Sequence, residues 1–246
     1  MNKTQKLALK DKKIIIFDMD GTLINSVGVW NEVDAALIDK INNSEVAAPD
    51  EAIIQKERDD ALRLYSTEAN PYLKYAEYLK KRYHAELEAE DIIKLRYEIA
   101  DDYLKHKVDY KKDADVFLKQ LKRMGFTLVI ATTTKKTNMD IYRRSNVNIL
   151  AKAPLDEFFD LIYTREAVQK IKPDPQVHYL LMQKLNVVPQ QCLVFEDSLV
   201  GVEAAKRAGI EVAAVYDKYS AADMDEIKAQ ADYYFADFAE VVSSIY

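Results

Sequence analysis

A single cysteine, Cys192, is all the chain holds, so no intrachain disulfide can close. With only His84, His106 and His178 beside it, no clustered zinc-ligand spacing exists either, and any metal is expected to be a hard ion on carboxylates. Glycine is scarce: 5 residues, about 2% against a usual ~7%. No two glycines stand at the spacing of a dinucleotide fingerprint or a phosphate-binding P-loop, which excludes both nucleotide motifs. Long apolar runs are missing too. Stretches such as 14–17 fall far short of the ~20 residues a bilayer crossing needs, and the lysine-dotted start has no apolar signal-peptide core. A cytoplasmic protein with no membrane partner is therefore expected. Nor is there a basic excess: 35 Lys and Arg against 41 Asp and Glu give a formal charge of −6, which disfavours nucleic acid as a partner. What is present, 49% hydrophobic and 31% charged residues, fits a globular protein of one or two domains.

Residues 14–17 form an apolar run without alternation, as suits a strand covered on both faces in a parallel sheet. Similar runs recur at 128–131, 192–195 and 212–215, with a weaker strand at 160–163 and a short one at 233–235. Helical patterns alternate with them at 113–124, 175–185 and 200–208, so the expected fold class is α/β, a Rossmann-like doubly wound parallel sheet. Between the first two strands lie about 100 residues where an ordinary crossover unit takes ~30, so something is inserted. Four amphipathic segments, 29–42, 50–65, 71–83 and 88–107, predict an all-helical four-helix bundle there. Breaks fall at Asn42-Asn43-Ser44, Ala48-Pro49 and Asn70-Pro71. The expected domains are 1–24 with 109–246 as the α/β core, and 25–108 as the helical insertion.

The first strand runs into Asp18-Met19-Asp20-Gly21-Thr22-Leu23, placing two carboxylates at the carboxyl end of a central strand, where open α/β sheets bind ligands. On its own, this pattern reads as an ordinary solvated turn. The second strand, however, ends in Thr132-Thr133-Thr134-Lys135-Lys136, which could hold an anion. Lys172 stands just before a proline-initiated helix, and the fourth strand delivers Glu196-Asp197-Ser198. In a parallel sheet these ends converge on one edge. Acids buried together need a compensating cation or proton.

Those motifs, from Lys13 to Gly209, resemble the haloacid dehalogenase superfamily, in the branch with a helical cap inserted after the first motif (phosphatases and the β-phosphoglucomutase-like group). The resemblance implies an Mg²⁺-dependent phosphatase that hydrolyses a small phosphorylated metabolite, a sugar phosphate or similar monoester, through an aspartyl-phosphate. It makes Asp18 the nucleophile and Asp20 the general acid and base. Thr132, Thr133 and Lys172 would bind phosphate, with backbone amides near Met19 and Thr133 completing the cradle. The metal would take Asp18, Asp20 through its carbonyl, and Asp197, with Glu196 in the outer shell. Asn25, Trp30 and Asn31, just after the catalytic turn, are the candidates for substrate contact. An acid at position 20 fits phosphate-ester chemistry, since halide departure needs no proton. A phosphomutase of the β-phosphoglucomutase type is the alternative, and a catalytically silent phospho-ligand-binding protein the alternative from another class. A monomer or weak homodimer is expected.

Overall fold

The computed structural model describes residues 6–43, 49–65 and 70–245; Ser44 and Ala48 of the expected breaks, and the terminal Tyr246, lie outside the described residues. In chain order the elements begin with β1 (Ile14–Phe17), α1 (Val29–Ile41), α2 (Glu51–Leu64), α3 (Pro71–Arg82) and α4 (Ala89–His106). They continue with α5 (Ala114–Arg123), β2 (Thr127–Ala131), α6 (Lys136–Arg144), α7 (Val147–Lys152), α8 (Leu155–Phe158) and β3 (Leu161–Tyr163). The last are α9 (Gln176–Leu185), β4 (Cys192–Glu196), α10 (Leu199–Arg207), β5 (Glu211–Val215), α11 (Met224–Gln230), β6 (Tyr233–Phe235) and α12 (Phe238–Ser244). The chain divides into two compact units, Met1–Ser26 with Val108–Tyr246, and Val27–Lys107.

The first unit carries the expected doubly wound sheet, in order β3-β2-β1-β4-β5-β6 with every neighbouring pair parallel. β1, β2 and β4 are buried almost throughout, the consequence of helices on both faces, and that is why they lack polar alternation. Helices α6 to α8 follow the second strand, in a stretch where no helical pattern is predicted. Their apolar positions, Met139, Tyr142, Ile149 and Leu155, are too widely spaced among polar residues to stand out. Asp113, at the start of α5, sits at φ 63° and its side chain makes no capping bond. Ahead of α9, the Asp174 side chain accepts from the Gln176 amide at 3.0 Å.

The second unit is the bundle of α1 to α4. Its centre holds a buried ion cluster in which Asp34 accepts from Arg58 at 2.9 Å and from Arg96 at 2.5 Å. The Arg96 guanidinium lies 5.0 Å from the Trp30 ring and 5.1 Å from the Tyr72 ring. Removing one partner from such a cluster would leave a buried charge uncompensated, which costs about 3–5 kcal/mol.

On α9, His178 is fully buried, and neither ring nitrogen has a partner among the described residues. Burial, aided by the Lys172 charge, pushes its pKa down to about 3. The unfolded chain therefore binds a proton near pH 6.5 that the native state refuses. His178 contributes stability that is complete above pH ~6.5 and is lost as pH falls towards about 3, by up to ~1.4 kcal/mol per pH unit. Urea unfolding at pH 7 and pH 5 is expected to show a smaller difference in His178→Leu than in the parent; an unchanged difference would contradict this.

Candidate active site

Strand register brings the acidic residues together. Phe17 pairs with Phe195 on one side and Ile130 on the other, so the chain continues into Asp18 beside Glu196 and, across the other neighbour, beside Ala131 and Thr132. The Asp18 amide donates to the Phe195 carbonyl at 3.0 Å, extending the ladder past the last paired residue. Behind it the Phe17 and Phe195 rings stack at 5.1 Å, with Phe117 edge-on to both. The strand ends are thus pinned by packing before any polar contact is made.

Lys172 is 7% exposed and enters from the loop ahead of α9. Its Nζ donates to Asp18 Oδ1 at 2.7 Å and to Glu196 Oε1 at 2.6 Å. The other Glu196 oxygen accepts from the Asp197 and Ser198 amides, at 2.9 and 3.1 Å, and from Ser198 Oγ at 3.0 Å. Both Glu196 oxygens are therefore committed. Asp197 accepts from Thr22 Oγ1 at 2.6 Å and from Ser220 Oγ at 3.1 Å. One oxygen from each of Asp18, Glu196 and Asp197 lies within 4.8 Å of the others.

Two glycines make these approaches possible. Gly21 turns the chain at φ 83°, and a Cβ on it would stand 2.5 Å from Asp197 Oδ2. A Cβ on Gly201, in the first turn of α10, would fall 1.8 Å from Glu196 Oε1. Lys111 Nζ ties the same turn down from outside, donating to the Gly21 and Tyr216 carbonyls at 2.7 Å each and to Asp217 at 3.0 Å.

The electrostatics follow from three buried carboxylates, of which Lys172 pairs with two, Asp18 and Glu196. Burial pushes the Asp18 pKa up to about 7 against the pull of Lys172, with Glu196 and Asp20 adding to the rise. Asp197 is also raised, by burial first and then by Glu196 and Asp18. Burial disfavours the charged Lys172, but the Asp18 and Glu196 carboxylates outweigh it and hold its pKa above the ordinary lysine value. A second positive charge would relieve the Asp18 and Asp197 carboxylates, and an all-oxygen donor set suits a hard divalent cation. Glu196 is engaged by Lys172 and by two backbone amides, whereas Asp18 meets Lys172 through Oδ1 alone and Asp197 meets the neutral hydroxyls of Thr22 and Ser220.

Asp20 is turned towards hydroxyls. Ser26 Oγ donates to one of its oxygens and Thr134 Oγ1 to the other. Thr134 Oγ1 is in turn 2.9 Å from Thr132 Oγ1, and Thr132 is 4% exposed. Thr133 is exposed. Among the residues considered for substrate contact, Asn25 forms a two-way tie with Asp109, its amide donating at 3.0 Å and its Oδ1 accepting at 2.9 Å. In the second unit, Trp30 packs on Arg96, and Asn31 is buried with its Nδ2 donating to Gln55 at 3.0 Å. Sequence reasoning missed Ser26, Lys111 and Ser220, and it took Thr134 with its neighbours as a possible anion site, whereas its hydroxyl donates to Asp20.

Comparison with known proteins gives concordant results. The family model described as haloacid dehalogenase-like hydrolase matches residues 15–215. A phosphorylated carbohydrates phosphatase of Thermotoga maritima is 29% identical over 197 residues, covering 80% of this chain and 82% of that protein. Two crystal structures share the fold. CbbY from Rhodobacter sphaeroides in complex with phosphate has a TM-score of 0.64 and 24% identity over 94% of this chain and 96% of that one. A HAD family hydrolase from Deinococcus radiodurans with bound phosphate and sodium has a TM-score of 0.68 and 18% identity over 94% of this chain and 93% of that one. Among the described residues no helix is long and apolar enough to cross a membrane.

Proposed function

Because the chain belongs to the haloacid dehalogenase-like hydrolase family, we propose that it is an Mg²⁺-dependent phosphatase that hydrolyses a small phosphorylated metabolite, a sugar phosphate or similar monoester, with Asp18 as nucleophile. The observation that carries this reading is the buried Lys172 ammonium, 2.7 Å from Asp18, beside a carboxylate cluster that calls for a cation. The phosphorylated carbohydrates phosphatase among the relatives supports the substrate class.

A carboxylate approaching a phosphate dianion is repelled, so positive charge must stand where the phosphoryl group sits. Lys172 supplies part of it and, bonded to Asp18 Oδ1, also fixes the direction of the nucleophile. Glu196 positions Lys172 in turn. Asp18, Asp197 and the Asp20 carbonyl would hold Mg²⁺, which when bound contributes charge at the phosphoryl oxygens. Thr132 and the amide of Thr133 would bind those oxygens. Asp18 forms a bond to phosphorus as the ester P–O bond breaks, and Asp20 gives its proton to the departing alkoxide. Water then attacks the aspartyl-phosphate, yielding its proton to Asp20. Phosphate leaves and Asp18 is restored.

A phosphate-release screen over sugar, nucleotide and short-chain acid esters, with and without chelator, tests the reading. Metal-dependent release from sugar phosphates is expected. Isomer formation stimulated by a sugar bisphosphate would replace it with a mutase, and tight binding without turnover would replace it with a silent binder. Independently of activity, Mg²⁺ at about 100 times its Kd is expected to stabilise the fold by about 2.7 kcal/mol. Protons held by Asp18 up to about pH 7 compete with the cation, so the rise in Tm should be larger at pH 8 than at pH 5.5. Equal rises at both pH values, or none, would count against the cation site.

A further inference from the structure

Lys111 stands a few residues past the end of the helical insertion, and its side chain is 17% exposed. An ammonium carries three N–H donors. Here each finds an acceptor: the Gly21 carbonyl at 2.7 Å, the Tyr216 carbonyl at 2.7 Å and Asp217 Oδ2 at 3.0 Å. The backbone brings the side chain there, because the Lys111 amide donates to the Leu23 carbonyl at 2.8 Å and Tyr110 bridges Ile24 in antiparallel fashion. One side chain thus joins the turn after β1 to the loop after β5.

Both of those segments also hold Asp197. Thr22, next to Gly21, donates from Oγ1 to Asp197 Oδ1 at 2.6 Å, and Ser220 donates from Oγ to Oδ2 at 3.1 Å. Ser220 is fixed relative to Asp217, since its amide donates to the Asp217 carbonyl at 3.2 Å, while Asp217 Oδ1 accepts from the Tyr219 amide at 2.9 Å. The contacts close a ring that runs from Lys111 through Gly21 and Thr22 to Asp197, and back through Ser220 and Asp217. We propose that Lys111 is a positioning residue for the cation, clamping the turn that carries Asp18 and Asp20 to the loop that orients Asp197. The proposal rests on the reading of Asp18, the Asp20 carbonyl and Asp197 as the Mg²⁺ ligands.

A tetrahedral ammonium suits acceptors that converge on one point from three segments, whereas a guanidinium would spread its donors in a plane. Without the clamp, the turn and the loop keep their own backbone hydrogen bonds but lose the tie between them. The donor oxygens would then have to be ordered by the cation itself, and that cost appears as lost affinity. The direction of the effect separates positioning from charge. A positive charge near a cation site opposes the cation, so removing it for electrostatic reasons alone would tighten binding. A role in folding alone would lower the stability of the metal-free protein and leave the affinity of the folded protein unchanged. Positioning requires weaker binding.

Mg²⁺ alone is titrated calorimetrically into the full chain, with near-UV circular dichroism confirming native packing. Lys111→Met keeps the length of the aliphatic stem, and its Kd for Mg²⁺ is expected to rise roughly 10- to 100-fold. The Mg²⁺ concentration giving half-maximal phosphate release should rise in step. Ser220→Ala, which changes no charge, is also expected to raise the Kd, and to raise it less when placed on Lys111→Met than on the parent, because both act through one ring. An unchanged or lowered Kd in Lys111→Met, or full additivity of the two substitutions, overturns the clamp. Should Lys111→Met fail to fold, Ser220→Ala decides alone, and an unchanged Kd there overturns the proposal. A parent protein that binds no Mg²⁺ would remove the cation reading itself, and the proposal with it, whereas the other failures leave that reading intact.

Discussion

Asp18→Asn is expected to lower kcat for phosphate release by roughly 10⁴ or more, the scale on which enzymes lose turnover when a nucleophile is removed. The variant should nonetheless fold. Asparagine keeps the shape of the side chain, and its neutral amide ends the repulsion from Glu196 and Asp20 that, with burial, lifts the parent carboxyl to about 7. Near pH 8, where the parent carboxyl is ionised, the metal-free variant should melt no lower than the metal-free parent. At the same time it loses one of the two carboxylates that would hold Mg²⁺, so the cation should stabilise it less. Loss of turnover with retained stability and weakened cation response is a combination that general misfolding cannot produce. An Asp18→Asn enzyme within tenfold of the parent would show that another group attacks phosphorus.

Gly201→Ala should damage the site from a position whose side chain would be purely aliphatic. In an ordinary helix the exchange of glycine for alanine stabilises by up to about 1 kcal/mol. Here the added methyl would stand 1.8 Å from Glu196 Oε1, deep inside van der Waals contact, so the Glu196 carboxylate has to move. It cannot move cheaply, because it holds the Lys172 ammonium on one oxygen and the Asp197 and Ser198 amides on the other. Displacing it leaves buried charges incompletely paired, an effect of about 3 kcal/mol or more, which outweighs the helix gain and reverses its sign. We expect a destabilisation of about 2–4 kcal/mol in urea unfolding and a fall in kcat/KM of about 100-fold. A Gly201→Ala protein as stable and active as the parent would mean that Glu196 is not needed where it stands.

The sheet was legible in the sequence because its strands are covered on both faces. Solid apolar runs such as 14–17 and 192–195 have few alternative readings, and the acidic residues follow them directly. Parallel register then does the rest, since Phe17 opposite Phe195 forces Asp18 beside Glu196. The helices α6 to α8 were not legible: they are short, and Lys135, Lys136, Arg143 and Arg144 mask the few buried positions. Partners that reach the site from outside the motifs were equally hidden. Lys111 and Ser220 are joined to Gly21 and Asp197 by tertiary folding alone, and no spacing announces them. The commitment of both Glu196 oxygens is likewise a three-dimensional fact. The sequence shows two adjacent acids, and only the Lys172 loop and the α10 N-terminus separate their tasks.

The central claim is that phosphorus becomes bonded to Asp18 during turnover. Rapid acid quench of the protein with Mg²⁺ and a radiolabelled sugar phosphate, followed by peptide mapping, tests it directly. The account predicts a base-labile acyl phosphate on the peptide containing Asp18, formed before free phosphate appears and missing in Asp18→Asn. Label on a different residue, or alcohol and phosphate released together with no labelled protein at any time, would contradict it.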